Sequence, residues 1–149
     1  MFGSPQRGVN AYAKVGLETN ISAASPHALV IMLYDGAMTA IMKGLANMRA
    51  GNIAEKGKAI SHAITIIDNG LRASLDREAG GQIAASLDSL YDYMNRQLLV
   101  ANLHNKPEIL EEVHRLLADL RGAWTSIGAA PAVTAPRSDA ARAPLMASA

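Results

Sequence analysis

Cysteine is absent from all 149 residues, which excludes disulfides and thiolate metal sites and fits a reducing cytosol. Aromatic residues are scarce: one Phe, four Tyr and one Trp. A core must therefore be built from Leu, Ile, Ala and Met. Neither sign of charge dominates, with 14 basic and 13 acidic residues. No strong field points to nucleic acid or to a membrane surface. Apolar runs stop well short of the roughly 18 residues a membrane-spanning helix requires, so no membrane insertion is expected. The first seven residues hold Gly3, Ser4 and Pro5 and no apolar stretch, so no secretory signal is expected.

Against these absences, one stretch is dense with signal. Ser25 can cap orphan backbone N–H groups, and Pro26 suits a first helical turn, where its missing N–H costs nothing. Ala28 to Tyr34 is apolar at every position. A surface helix shows one apolar stripe and a polar back, so this one must touch neighbours on more than one side. Gly36, Ala40 and Gly44 then fall four apart on one line. Each interior Gly costs a helix about 1 kcal/mol relative to Ala, and such a line admits close approach of a second helix. The pattern predicts a central helix over 26–50. Its main stripe is Val30, Leu33, Ala37, Ile41, Leu45 and Met48, with Met38 and Met42 on a second one.

Three more helices are predicted. The second spans 53–76, introduced by a capping-box pattern at Asn52 and Glu55 and ending before Gly80-Gly81. Its seam is Ile60, Ile64, Ile67, Leu71 and Leu75. A second line, Ala59, Ala63, Ile66, Gly70 and Ala73, is small and apolar. The third spans 82–104 with the seam Ile83, Leu87, Leu90, Met94, Leu98 and Ala101, and Tyr93 and Val100 a quarter turn away. Asn105 and Glu108 repeat the capping-box pattern before a fourth helix over 106–127. That helix has one stripe, Ile109, Val113, Leu116, Leu117, Leu120, Trp124 and Ile127, and Gly128 is placed as its C′ residue. Short connections force sequential helices to be neighbours. The expected fold is all-α: an elongated, antiparallel, up-down-up-down four-helix bundle over 25–128. A mobile arm or short helix over 1–24 precedes it, and a disordered Ala/Pro-rich tail over 129–149 follows.

Chemistry is thin. Glu111-x-x-His114 is half of a di-iron bundle signature, but no second Glu-x-x-His exists and both residues fall off the apolar stripe. A solvated helix face is the better reading. His62 sits among apolar neighbours without the nearby Lys and Gly of a phosphotransfer site, and His27 is an ordinary first-turn residue. No phosphate loop, nucleophile elbow or paired-carboxylate spacing occurs. No catalytic, metal-binding or cofactor-binding residue is assigned. Tyr34, Tyr91 and Trp124 read as core aromatics with polar tips at the surface.

What remains is surplus apolar surface on the first three helices, which on a soluble protein marks a partner site. An apolar groove taking an amphipathic helix fits it. The candidate contact residues are Gly36, Met38, Ala40 and Met42 of the first helix, Ala63, Ile66 and Gly70 of the second, and Tyr93 and Val100 of the third. Tyr12 and Ile21 join them, from an apolar cluster with Val15 and Leu17 too weak to be a stable helix alone.

From Tyr12 to Trp124 the chain resembles the flagellar secretion chaperone family FliS. The resemblance is carried by Tyr12, by Ser25-Pro26-His27 with Leu29 and Met32-Leu33-Tyr34-Asp35-Gly36, and by Leu75-Asp76 before Gly80-Gly81. Leu90-Tyr91-x-Tyr93 with Ala101-Asn102, and Leu120-Arg121-x-Ala123-Trp124, complete it. The tail after Gly128 and the helix-loosening Gly44 and Gly70 depart from the family pattern. The resemblance implies a cytosolic, non-enzymatic chaperone without cofactor. Its client would be the C-terminal segment of flagellin, kept from premature polymerisation and passed to an export-gate component. The alternative is a generic helical-bundle interaction module with another helical client. Oligomeric state is not legible.

Overall fold

A computed structural model describes residues 25–129. Among them every element is helical and there is no strand. The helices are α1, Pro26–Ala50; α2, Ile53–Thr65, continued by a π-helical segment, Ile66–Arg72; α3, Arg77–His104; and α4, Pro107–Ala129.

Helix α1 starts and stops as its sequence dictates. The Ser25 hydroxyl accepts from the Ala28 N–H at 3.0 Å, Pro26 fills the first turn, and Gly51 ends the helix at φ 80°. Leu33, Tyr34, Ala37, Ala40, Ile41, Gly44 and Leu45 are buried. They meet Ile60, Ala63, Ile66, Ile67 and Leu71 from α2 and its π segment, Tyr91, Met94, Leu98 and Ala101 from α3, and Leu110, Val113 and Leu117 from α4. Helix α1 packs against α2, the π segment and α4. Its length and apolar composition would suffice to cross a bilayer, but its buried side chains line the centre of this core.

The small-residue lines explain how closely α1 and α2 approach. A Cβ on Gly44 would lie 2.9 Å from Ile60 Cγ1, and one on Gly70 would lie 3.0 Å from Leu33 Cδ2. Gly44 also faces Ala59 and Gly36 faces Ile66, so the small-residue lines pack against each other and against the neighbouring stripes.

The junction of α2 and α3 differs from expectation. The second helix stops at Arg72 rather than 76, because Ser74 turns back on it: its hydroxyl donates to the Gly70 carbonyl at 2.6 Å. Asp76 then caps the next helix, accepting from the Ala79 N–H at 3.0 Å, so α3 begins at Arg77 rather than 82. Gly81 leaves helical geometry at φ 50° and ψ −123°, so Gly80-Gly81 does break the helical run: a first turn from Arg77 is joined across this kink to the longer helix that follows, whose start agrees with the expected 82. Past that kink Ile83 faces out, 70% exposed, and Ala84 takes the buried position expected for it.

Other local expectations also need correction. Asn52 makes no side-chain cap; its amide donates to Asn47 Oδ1 at 3.1 Å. Asn105 ends α3 at φ 51° rather than starting α4. Its Oδ1 accepts from the buried Lys56 ammonium at 2.7 Å, and the Asn102 carbonyl accepts from the same ammonium at 2.9 Å. Gly128 lies within α4 rather than beyond it. The Tyr34 and Tyr91 hydroxyls are not at the surface but meet inside the core at 2.5 Å.

Candidate functional site

Three surface features stand out, and each follows from the helix pattern. The first is an apolar cleft of about 330 Å³ where α1 begins, the π segment turns into kinked α3, and α4 runs out. Val30, Leu71, Leu75, Ile83, Leu87 and Trp124 line it, with Tyr91 at its inner wall. Trp124 is held by α1: its ring lies 5.5 Å from the His27 ring, and its carbonyl accepts from His27 Nε2. Beneath it, burial pushes the Tyr34 hydroxyl up from the ordinary tyrosine range, partly offset by hydrogen bonds with Tyr91 and Trp124. Burial, with Tyr34 alongside, pushes Tyr91 far above that range. Both stay neutral and hydrogen-bonded, a fixed floor rather than a reactive pair.

One side of this end is pinned by charge. Arg72 donates to Asp88 at 2.8 Å and to Asp68 at 3.1 Å, and Arg77 donates to Asp88 at 3.0 Å. The two guanidinium hydrogen bonds hold the Asp88 carboxyl at about 2, below the ordinary range. The network ties the π segment to α3 across the turn between them.

The second feature is a polar cleft of about 370 Å³ between α1 and α2, lined by Asp35, Gly36, Thr39, Ala40, Lys43 and His62. Asp35 is engaged by Arg121 of α4 at 2.5 Å. Lys43 shares this cleft with His62, a proximity that sequence spacing alone did not show.

The third feature is an apolar face on the second half of α3 that no other described element covers. Tyr93, Leu99, Val100 and Leu103 are exposed, Leu103 to 75% and Leu99 to 58%. Tyr93 is steadied by α4, its hydroxyl donating to Glu112 at 3.2 Å.

The structure separates the sequence candidates. Tyr93 and Val100, two turns apart, share the α3 face, and Met42 is exposed on α1. Met38 packs against the core, and Gly36 sits in the wall of the polar cleft. Ala40 is buried but also lines the same cleft, whereas Ala63, Ile66 and Gly70 are buried where α1 meets α2 and the π segment and line neither cleft. Tyr12, Ile21 and the expected arm and tail lie outside the described residues. Sequence reasoning missed Leu99 and Leu103 and read Ile83 as a buried seam residue. Leu99 had a signal: Leu98-Leu99-Val100 is more consecutive apolar surface than one helix seam can bury. Glu111 of the half di-iron motif pairs with Arg49 at 2.8 Å. Among the described residues no three His, Asp or Glu converge as a metal site.

Comparison with known proteins gives the surfaces a context. Residues 8–131 match the family described as flagellar protein FliS. The flagellar secretion chaperone FliS of Salmonella typhimurium is 49% identical over 120 residues, covering 80% of this chain and 89% of the relative. The Escherichia coli FliS is 42% identical over 118 residues, covering 79% and 87%. FliSB of Pseudomonas aeruginosa is 38% identical over 121 residues, covering 81% and 95%. An all-helical core with unspent apolar surface, matched over nearly the full length of such relatives, belongs to the FliS family of flagellar secretion chaperones.

Proposed function

We propose that this chain is a cytoplasmic export chaperone for flagellin. It binds the client's C-terminal segment before assembly, holds back polymerisation and delivers the client to an export-gate component. Catalysis plays no part in this reading. The family supports the pathway, and the α3 face supports the mode: Leu99, Val100 and Leu103 are exposed, uncovered by any other described element. A helix laid on that face follows the groove-binding mode.

Magnitudes favour a moderate complex. Ordering a disordered client segment costs about 2–5 kcal/mol or more. Fully burying one Leu or Val returns about 1.5–3 kcal/mol. Two or three such side chains offset the ordering and leave a surplus small enough to permit release. Residues 1–24 serve in this reading as a mobile arm bearing Tyr12 and Ile21 near the client. The domain is an antiparallel up-down-up-down bundle. The pairings Asp35 with Arg121 and Arg49 with Glu111 support that topology, since partners in α4 descend as those in α1 ascend.

The test is calorimetry of a flagellin C-terminal peptide against the intact protein and a Val100→Ser/Leu103→Ser variant. Affinity is expected to fall at least about tenfold, since 1.4 kcal/mol is a factor of ten, with the melting midpoint unchanged. Unchanged affinity would remove α3 as the client surface. A Tyr12→Ala variant in the same assay tests the arm, which predicts altered affinity at constant stability.

A further inference from the structure

We propose that the apolar cleft at the α1/α4 end is an internal docking site for this chain's own C-terminal segment, with Leu145-Met146 as its anchor. Trp124 forms one wall of the cleft, and α4 carries the chain about 7–8 Å further, to Ala129. The 20 residues that follow therefore start beside the cleft. They are rich in Ala and Pro, and the adjacent large apolar pair in them is Leu145-Met146. Residues 130–144 form a tether with a root-mean-square reach of about 20 Å, enough to return to the cleft mouth. A tether of this length presents its end at about millimolar effective concentration. Even a weak intrinsic contact is then substantially occupied.

Charge agrees with the assignment. Asp76 lies in the cleft wall and Glu78 is exposed in the same first turn of α3, while Arg77 between them is engaged by Asp88. The tail brings Arg137 and Arg142 just before its apolar pair. This segment lies mostly beyond the family match, which ends at residue 131. Its consequence rests on the client reading above: a client side chain seeking the same cleft would have to displace the tail.

Trp124 is the chain's only Trp and lines the cleft, so its fluorescence reports occupancy without any client. In the full chain, Leu145→Ser/Met146→Ser is expected to red-shift Trp124 emission and to raise acrylamide quenching about twofold. Deleting residues 130–149 should do the same, and a peptide of residues 137–149 added to the truncated protein should reverse it saturably. Circular dichroism of each variant should keep its helical signal. If the double substitution leaves emission and quenching unchanged, the proposal is overturned. It is equally overturned if only removal of residues 1–20 exposes Trp124, since the N-terminal segment would then be the occupant. Because no flagellin is present, either failure leaves the client reading standing, and a failed client assay leaves this one standing.

Discussion

Lys56 shows how a single buried residue can hold two helices in register. Its ammonium donates to the Asn102 carbonyl and to Asn105 Oδ1, and so places a cation at the end of α3, where unpaired carbonyls favour it. Lys56→Met keeps the stem and removes the donors, and should lower stability by about 1–3 kcal/mol in urea unfolding. The tyrosine pair supplies a pH test. Both hydroxyls titrate higher in the folded chain than at the ordinary value of 10. Above that pH the unfolded chain loses protons that the folded chain keeps, so stability must fall as pH rises. The melting midpoint should drop above pH 10, and less steeply in Tyr34→Phe/Tyr91→Phe. Asp88 works in the opposite sense. Its folded value of about 2 lies below the ordinary 3.8, so its contribution is present above 3.8 and is lost as pH falls toward 2. Asp88→Asn should flatten that acid limb of the melting curve.

Elements were legible wherever apolar spacing decided them. The middles of the stripes, Leu33-Ala37-Ile41-Leu45, Ile60-Ile67-Leu71 and Met94-Leu98-Ala101, are buried as spacing requires; Val30, Met48, Ile64, Leu75, Leu87 and Leu90 are only partly buried, and Ile83 is exposed. What spacing could not reveal were competing local hydrogen bonds. Ser74 back-bonding to Gly70 and Asp76 capping α3 each moved a boundary, and Asn105, accepting from Lys56, closes α3 at the expected place instead of capping α4. The π widening also escaped, because no residue type marks it. Ala63, Ile66 and Gly70 read as a bed for a partner for a related reason, and in this structure α1 fills that bed. Glycine substitutions separate these cases. Gly44→Ala gains about 1 kcal/mol of helix propensity but drives its Cβ into Ile60, an overpacking cost of about 1–3 kcal/mol. The net effect should be destabilising. Gly57→Ala, with nothing near its Cβ, should stabilise by roughly 0.5–1 kcal/mol. Leu71→Ala, at the heart of the second seam, should cost about 2–5 kcal/mol. Denaturant midpoints of the three variants check the order.

Across the whole molecule, charge is nearly balanced and the unspent surface is apolar. Client binding should therefore depend weakly on salt. Exposed ion pairs are screened within about 10 Å at 0.1 M ionic strength, whereas apolar burial persists. Calorimetry between low and high salt should show affinity changing by less than about tenfold. A steeper loss would move recognition toward the polar cleft of Asp35, Lys43 and His62.

The seating of α1 against α4 bears on how the chain is made. His27 finds Trp124 across 97 positions, and Asp35 finds Arg121 across 86. Contacts that distant cannot form until nearly all of the bundle has left the ribosome, and closing them slows folding. The most apolar helix is thus translated first and completed last. During synthesis α1 can pair with α2 as soon as both emerge, and the matched small-residue lines let that hairpin close early. A nascent chain paused before Trp124 still exposes the α1 face that α4 will cover. A chain proposed here to shield another's segment thus passes through a stage in which its own first helix lacks a partner.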